Sequence, residues 1–363
     1  MAKKQVLRHR LILGLLALTG AALFTWGQAF LAEETEDAWL HVPFAEYGLP
    51  ASEDRPLGEE DDEIKPHHPV PLPLIGLEDI IFTPPLPQKE PTQAHRVQLT
   101  EDYVQRLMSF HYLTNNIFLV DRYTALFPSD IDAYAFLRED LRLDISPPGP
   151  KVLIFHTHSQ ERFIDSNPLD PMDGVVGLGR HLAEILAGEY GIETMHYKGQ
   201  FDILDGRPQR QGAYERMEPA ILQVLADNPS IQMVIDIHRD GVRDGMGPFI
   251  TYINGQRTAR IMFFNGLSRQ NRGGQITAVQ WLPNPYQQEN LNFSFQLQLA
   301  ANQLHPGFAR RVYLREFRYS LHMMPMSMFV EVGNQYNTKQ DAVNAMGPLA
   351  EVIAAVVLGG PPV

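Results

Sequence analysis

Three observations in the sequence predict an α/β fold, a mixed, mostly parallel sheet with flanking helices, preceded by a transmembrane anchor and an extended linker. From residue 146 onward, short apolar runs of strand length alternate with longer segments of helical spacing, the pattern of strands joined by crossover helices. Three of those runs end abruptly in histidine or carboxylate: VLIF before His156 and His158, QMVIDI before His238, and MSMFV before Glu331. Loops just past strand ends are where such sheets carry chemistry, because a rigid scaffold holds them. Ahead of the folded region stand a long apolar run and a segment rich in acidic residues and proline.

Lys3, Lys4, Arg8 and Arg10 precede the apolar run, which is almost uninterrupted over residues 11–26 and continues to Ala32. About 20 apolar residues cross a bilayer as a helix, and preceding basic residues keep the N-terminus in the cytoplasm. Residues 1–32 are therefore expected to be a cytoplasmic tail and single-pass membrane anchor, with the remainder on the extracytoplasmic side. A cleaved signal peptide is the competing reading, with Gly27-Gln28-Ala29 as a small-residue cleavage site. Residues 33–96 read as linker. Twelve acidic residues against one basic, Arg55, between Ala32 and Glu63 account for most of the formal net charge of −13. The acidity thus belongs to the linker, and no basic footprint points to nucleic acid. The proline-rich residues 66–91 predict a semi-rigid spacer. Two apolar islands interrupt it, Leu74-Ile75-Gly76-Leu77 and Ile80-Ile81-Phe82, each readable as a partner-docking segment or as a strap on the domain. The absence of cysteine excludes disulfides, thiolate ligands and a thiol nucleophile.

Folded character begins near Val97. Residues 97–145 form its N-terminal part, with a helix over 99–112 partly capped by Thr100, a strand over 112–121 and a helix over 129–141. Phe110, Tyr112, Phe118, Tyr123, Phe127 and Tyr134 are expected to pack in a core rather than to bind sugar. Residues 146–363 follow. A helix over Val175–Tyr190 is stopped by Gly191, a strand covers 192–196, and a helix over 212–226 ends at Asn228-Pro229. Strands at Ile250–Ile253, 260–265 and 311–313 join the three site strands in the sheet, a long helix spans 284–305, and a final helix covers 339–358 with Thr338 as N-cap three residues before Asp341. No nucleotide-binding fingerprint is present, since Gly174, Gly177 and Gly179 do not directly follow a strand.

Histidines and carboxylates delivered to three strand ends, without cysteine, suit a catalytic zinc that keeps one position for water. A single histidine after a strand is more often an ordinary hydrogen-bonded residue; three such ends together outweigh that reading. His238 is the firmest ligand, and Glu161 with one of His156 and His158 completes the set. Glu331 is the candidate general base and acid. Arg239 orients a substrate carboxylate, holds a site carboxylate or pairs with Asp240, and Asn334 is either a supporting residue or, with Asn337 and Thr338, a turn former. His196, alone at another strand end, carries little weight.

These residues also carry a resemblance. His156-Thr157-His158-Ser159-Gln160-Glu161, Asp236-Ile237-His238-Arg239-Asp240 and Glu331-Val332-Gly333-Asn334 with Asn337-Thr338 resemble, in order, the signature blocks of the stage II sporulation protein P family, and Phe118-Leu119-Val120-Asp121 and Gly347-Pro348-Leu349-Ala350 extend the match. The resemblance implies a zinc amidase-like fold, a catalytic amidase domain over residues 146–363 and a membrane-anchored peptidoglycan hydrolase. Its activities would be N-acetylmuramoyl-L-alanine amidase and cross-link endopeptidase, acting on the septal wall during engulfment. It implies partnership with a sporulation lytic transglycosylase and a membrane scaffold protein, and it favours His158 over His156 as the first zinc ligand. Tyr319-Ser320-Leu321 and His322-Met323-Met324 depart from the family pattern ahead of the last site strand. The alternatives are a non-catalytic wall-binding scaffold of the same fold and a zinc peptidase of vegetative wall turnover.

Overall fold

In the computed structural model of the chain, residues 79–84 and 92–363 are described. The expected anchor, most of the linker and the apolar island at 74–77 lie outside them. Among the described residues no helix is long and apolar enough to cross a membrane.

Eight strands form the central sheet: β1 (Ile80–Thr83), β2 (Phe118–Val120), β3 (Val152–Phe155), β4 (Thr194–Tyr197), β5 (Met233–Asp240), β6 (Ile261–Gly266), β7 (Ala309–Arg315) and β8 (Ser327–Asn334). Their spatial order is β1-β4-β3-β5-β8-β6-β7-β2. Five of the seven pairings are parallel, the exceptions being β1 with β4 and β6 with β8. The helices are α1 (Glu101–Leu107), α2 (Phe110–Asn116), α3 (Ala133–Phe136), α4 (Val175–Tyr190), α5 (Ala213–Asp227), α6 (Gln287–Leu304), α7 (Lys339–Asn344) and α8 (Met346–Val357).

Both faces of the sheet are covered, which is why β3 reads as an unbroken apolar run: all four of its residues are buried. Alternation along the strands sorts them between two cores. Val152, Ile154, Ile235, Ile237 and Val330 face α4, α6 and α8, whereas Leu153, Phe155 and Val234 face α5 through Ala213, Met217 and Ile221. Helix α4 ends at Gly191, whose φ of 69° is left-handed and favours glycine. Helix α6 is buried throughout its middle, polar positions included. One of them, Asn290, fastens the entry to β8: its Oδ1 accepts from Ser327 N–H at 2.9 Å, and its Nδ2 donates to Leu321 O at 2.7 Å and to Met324 O at 3.3 Å.

Several elements differ from the sequence reading, each for a local reason. The helix expected over 99–112 is two helices, because the Ser109 side chain accepts from Tyr112 N–H and starts α2 afresh. That second helix leaves only Phe118–Val120 of the expected strand. Over 129–141 only α3, capped by Asp132, is α-helical, after a 3₁₀ turn at Pro128–Asp130. The final helix breaks between α7 and α8, since Pro348 has no N–H to continue the ladder and fits only a first turn; the capping box of Thr338 and Asp341 is formed as expected. Ile250–Ile253 pairs with Gln256–Ala259 in a separate hairpin outside the central sheet. Of the N-terminal aromatic residues, Phe118 is fully buried, while Tyr123, Phe127 and Tyr134 are exposed and lie under Arg122, Arg269 and Arg138 respectively. Ile80–Thr83 is a strap: it pairs antiparallel with β4 and forms that edge of the sheet.

Asn290→Ala would strand the buried Ser327 N–H and the Leu321 carbonyl at the entry to β8, while Met324 O keeps Ser327 Oγ–H, at a cost of about 2–4 kcal/mol. Denaturant unfolding of the variant checks this; unchanged stability would show that the segment before β8 holds without the clamp.

Candidate active site

The site begins with register. In the parallel pairing of β8 with β5, Glu331 lies opposite His238 and Phe329 opposite Asp236. Pairing of β3 with β5 stops at Phe155 opposite Asp236. There the chain turns: Thr157 N–H donates to Asp236 Oδ1 at 2.9 Å, and Thr157 Oγ1–H donates to Oδ2 at 2.6 Å. This turn brings His158 and Glu161 over the end of β5. The His238 ring stacks on Phe329 with centroids 4.1 Å apart and meets the His158 ring edge-on at 5.3 Å. Tyr214, at the start of α5, also meets the His158 ring edge-on, at 5.4 Å.

Carboxylates flank the His238 ring, with Asp236 Oδ1 2.8 Å from Nε2 and Glu161 Oε2 3.3 Å from Nδ1. Glu161 is held in turn by Arg239 N–H on Oε2 and by Arg210 Nη2 on Oε1, both at 2.9 Å. Ser159 and Gln160, between His158 and Glu161, are tied down by Asp202, which accepts from Ser159 Oγ at 2.6 Å and Gln160 N at 3.0 Å. His158, Glu161, His238 and Glu331 are each at most 3% exposed.

His156 goes elsewhere. Its Nδ1 lies 3.1 Å from Ile237 O and its Nε2 2.9 Å from His196 Nε2, on the α4 face of the sheet. Of the two histidines in the first block, only His158 faces His238. Asp240 pairs with Arg310 Nη1 at 2.6 Å rather than with Arg239, whose Nε donates to Arg162 O at 3.0 Å, so the ion-pair reading of Arg239 with Asp240 is not met. Arg239 reaches the site through its main-chain N–H. Asn334 is spent on its turn, donating to Gly247 O at 2.8 Å and accepting from Tyr336 N–H at 2.9 Å.

Burial opposes charge on the His238 ring, but the carboxylates of Asp236 and Glu161 outweigh it and hold its pKa up to about 10. Burial likewise works against the Glu161 carboxylate, yet His238 and Arg210 keep it well below the usual range. His158 is held well below the ordinary histidine value by burial and by Arg210, and burial takes His156 down to about 4. Glu331 is pushed well above the usual carboxylate value by burial and then by Asp240 and Glu161.

Ligands at 2.0–2.2 Å in a tetrahedral zinc site stand about 3.3–3.6 Å from one another. The 3.3 Å between Glu161 Oε2 and His238 Nδ1 is of that size. His158 Nδ1 is buried without a hydrogen-bond partner, as are both oxygens of Glu331. Among the described residues no three His, Asp or Glu side chains converge as a ready metal cage. The donors fit zinc in kind, and one pair of them fits in spacing.

Four participants escaped the sequence reading. Asp236 was legible, because it stands two residues before His238 on a strand and so must share its face. Thr157 sits in the site block itself. Arg210 and Tyr214 come from the segment just before α5 and from its first turn, with no local signal.

The family model for stage II sporulation protein P matches residues 88–354. A search of the curated proteins finds no significant match. Among solved structures, the chain is similar to the CwlD amidase of Clostridioides difficile, solved in complex with the GerS lipoprotein (12% identity, TM-score 0.33, 58% of this chain and 95% of that one). It is also similar to the catalytic domain of CwlV, an N-acetylmuramoyl-L-alanine amidase of Bacillus (Paenibacillus) polymyxa var. colistinus (11%, 0.32, 56% and 96%), and to the N-acetylmuramoyl-L-alanine amidase AmiC2 of Nostoc punctiforme (13%, 0.29, 58% and 97%).

A histidine whose pKa is raised on folding contributes stability that is complete below its unfolded value of about 6.5 and is lost as pH climbs through the folded value. In the presence of chelator, the folded protein is therefore expected to lose stability between pH 7 and about 10, the value to which His238 is held. Asp236→Asn removes the principal attraction and should flatten that loss. Denaturation midpoints at several pH values test this; parallel profiles for the two proteins would show that Asp236 does not charge His238.

Proposed function

The chain belongs to the stage II sporulation protein P family, and we propose that it is a zinc-dependent peptidoglycan hydrolase cleaving the amide between muramic acid and the first stem-peptide residue during remodelling of the sporulation septum. The observation that carries this reading is the buried Glu331 carboxylate, without a hydrogen-bond partner on either oxygen and opposite His238 in register.

His158, Glu161 and His238 would hold the zinc. Bound there, the metal supplies Lewis acidity and makes water a usable nucleophile near neutral pH. The chain's own residues do the rest. Asp236, fixed by two hydrogen bonds from Thr157, holds the Nε2 side of His238 and leaves Nδ1 toward Glu161. Arg210 and the Arg239 N–H keep the Glu161 carboxylate charged and aimed. Glu331 is the proton carrier: it takes a proton from attacking water and returns it to the leaving amine. The raised pKa suits the acid half of that exchange, the return of a proton to the leaving amine; the base half needs the carboxylate, which a cation held beside it would favour. Phe329 and Tyr214 wall the site with rings, keeping bulk water from competing with the positioned one.

Residues 1–32 would anchor the chain in the membrane, and 33–96 would serve as tether for a domain acting in the wall outside, with the Ile80–Thr83 strap fastening the tether to the sheet. Cleavage of peptide cross-links, and partnership with a sporulation lytic transglycosylase and a membrane scaffold protein, would accompany the amidase activity.

The test is peptidoglycan digestion by the full chain, with released fragments identified by mass spectrometry. Free stem peptides should appear, disappear with chelator and return with zinc. Glu331→Gln should lower the rate by about 10²–10⁴-fold while leaving bound zinc, measured by elemental analysis, unchanged. Digestion that persists in chelator would remove zinc from the reading, and cleavage confined to peptide cross-links would reassign the bond.

A further inference from the structure

We infer that His156 and His196 form a neutral, hydrogen-bonded pair that positions His238 by fixing the peptide plane in front of it, an inference that rests on the proposed role of His238. Main-chain pairing between β3 and β5 ends at Phe155 and Asp236, and Thr157 N–H is diverted to the Asp236 side chain. The carbonyl of Ile237, one residue further along β5, is thereby left without a main-chain donor from β3. His156 Nδ1 supplies one at 3.1 Å. Ile237 C=O and His238 N–H belong to one rigid peptide unit, so holding the carbonyl sets the direction from which the His238 side chain leaves the strand.

With both rings neutral, as inferred, the protons along this path are determined. A carbonyl can only accept, so His156 Nδ1 carries hydrogen; a neutral His156 then offers a lone pair at Nε2; and His196 Nε2–H donates to it across 2.9 Å. His196 Nδ1 is left bare, buried and without a partner. Leaving a buried polar atom unpaired is unfavourable, so His196 bears a cost in making this one bond to His156. Helix α4 seals it: a Cβ at Gly179 would come within 2.5 Å of His156 Nε2 and 2.7 Å of His196 Nε2. The two histidines two residues apart in the first block thus serve opposite faces of the sheet, one toward the site and one bracing the strand behind it.

The experiment uses the full chain labelled with ¹⁵N-histidine and read by long-range ¹H–¹⁵N spectra at neutral pH, in wild type, His156→Leu and His156→Gln. The glutamine amide can still donate to Ile237 O and accept from His196; leucine can do neither. Expected are a Nδ1–H tautomer for His156, a Nε2–H tautomer for His196, His238 signals that move in the leucine variant, and their return in the glutamine variant. Peptidoglycan hydrolysis should follow, with kcat down about tenfold to a hundredfold in His156→Leu, KM little changed, and most activity restored in His156→Gln. A Nε2–H tautomer for His156, unmoved His238 signals in His156→Leu, or equal behaviour of the two variants would overturn the inference. A wild-type chain without hydrolase activity would instead overturn the amidase reading, and the tautomers and His238 shifts would still decide the positioning role.

Discussion

The candidate site depends on a single register, the parallel pairing that sets Glu331 of β8 opposite His238 of β5. Side chains alternate along a strand, so a slip by one residue would send Glu331 into the apolar core beneath α4 and α6 and bring Val330 or Val332 to the site. Packing on both faces forbids the slip. Val330 and Val332 belong to the larger core, while Phe329 is held on the other side between the His238 ring and Phe264, whose centroid lies 4.6 Å away. The hydrophobic sorting that makes the sheet is therefore the same event that aligns the histidine with the carboxylate, and the Asn290 clamp at the entry to β8 fixes where the counting starts.

Around that register the protein buries more charge than a structural core tolerates without arrangement. Glu161, Asp236 and His238 are all almost fully removed from solvent, and ionised groups in such surroundings are stable only when paired and hydrogen-bonded. Each finds its partners: Asp236 has Thr157 and His238, and Glu161 has Arg210, the Arg239 N–H and His238. Glu331 stands apart from the other two carboxylates, buried with neither oxygen bonded. Removing its charge by protonation lowers the cost of burial. Structural need and the proposed chemical use would coincide at that one side chain.

Much of this was legible from pattern. Apolar runs bounded by proline and glycine located β3, β5 and β8, because central strands covered on both faces must be continuously apolar. Capping residues located α4 and α7, since Gly191 and Thr338 satisfy helix ends by local geometry. Pattern did not decide segments whose fate is set elsewhere. Nothing near residue 250 indicates that Ile250–Ile253 folds back on its own neighbour instead of joining the sheet, and Ile80–Thr83 gains its structure only from the free edge of β4. Exposed Tyr123, Phe127 and Tyr134 looked like core because aromatic residues usually are, and the arginines that cover two of them lie within four residues, where spacing alone does not reveal the stacking.

The choice between His156 and His158 shows the same limit at a single turn. If β3 continued, the two would share a face, and sequence could not prefer either as partner for His238. The strand instead ends at Phe155, and the diversion of Thr157 N–H to Asp236 turns the backbone between them. His156 keeps the orientation of the strand it has just left and faces α4; His158 follows the turn and faces His238. The acceptor that causes the turn is Asp236, a residue 79 positions away whose other contact is His238 itself. One buried carboxylate thus bends the first site block, seats its second histidine and holds the ring that this histidine meets.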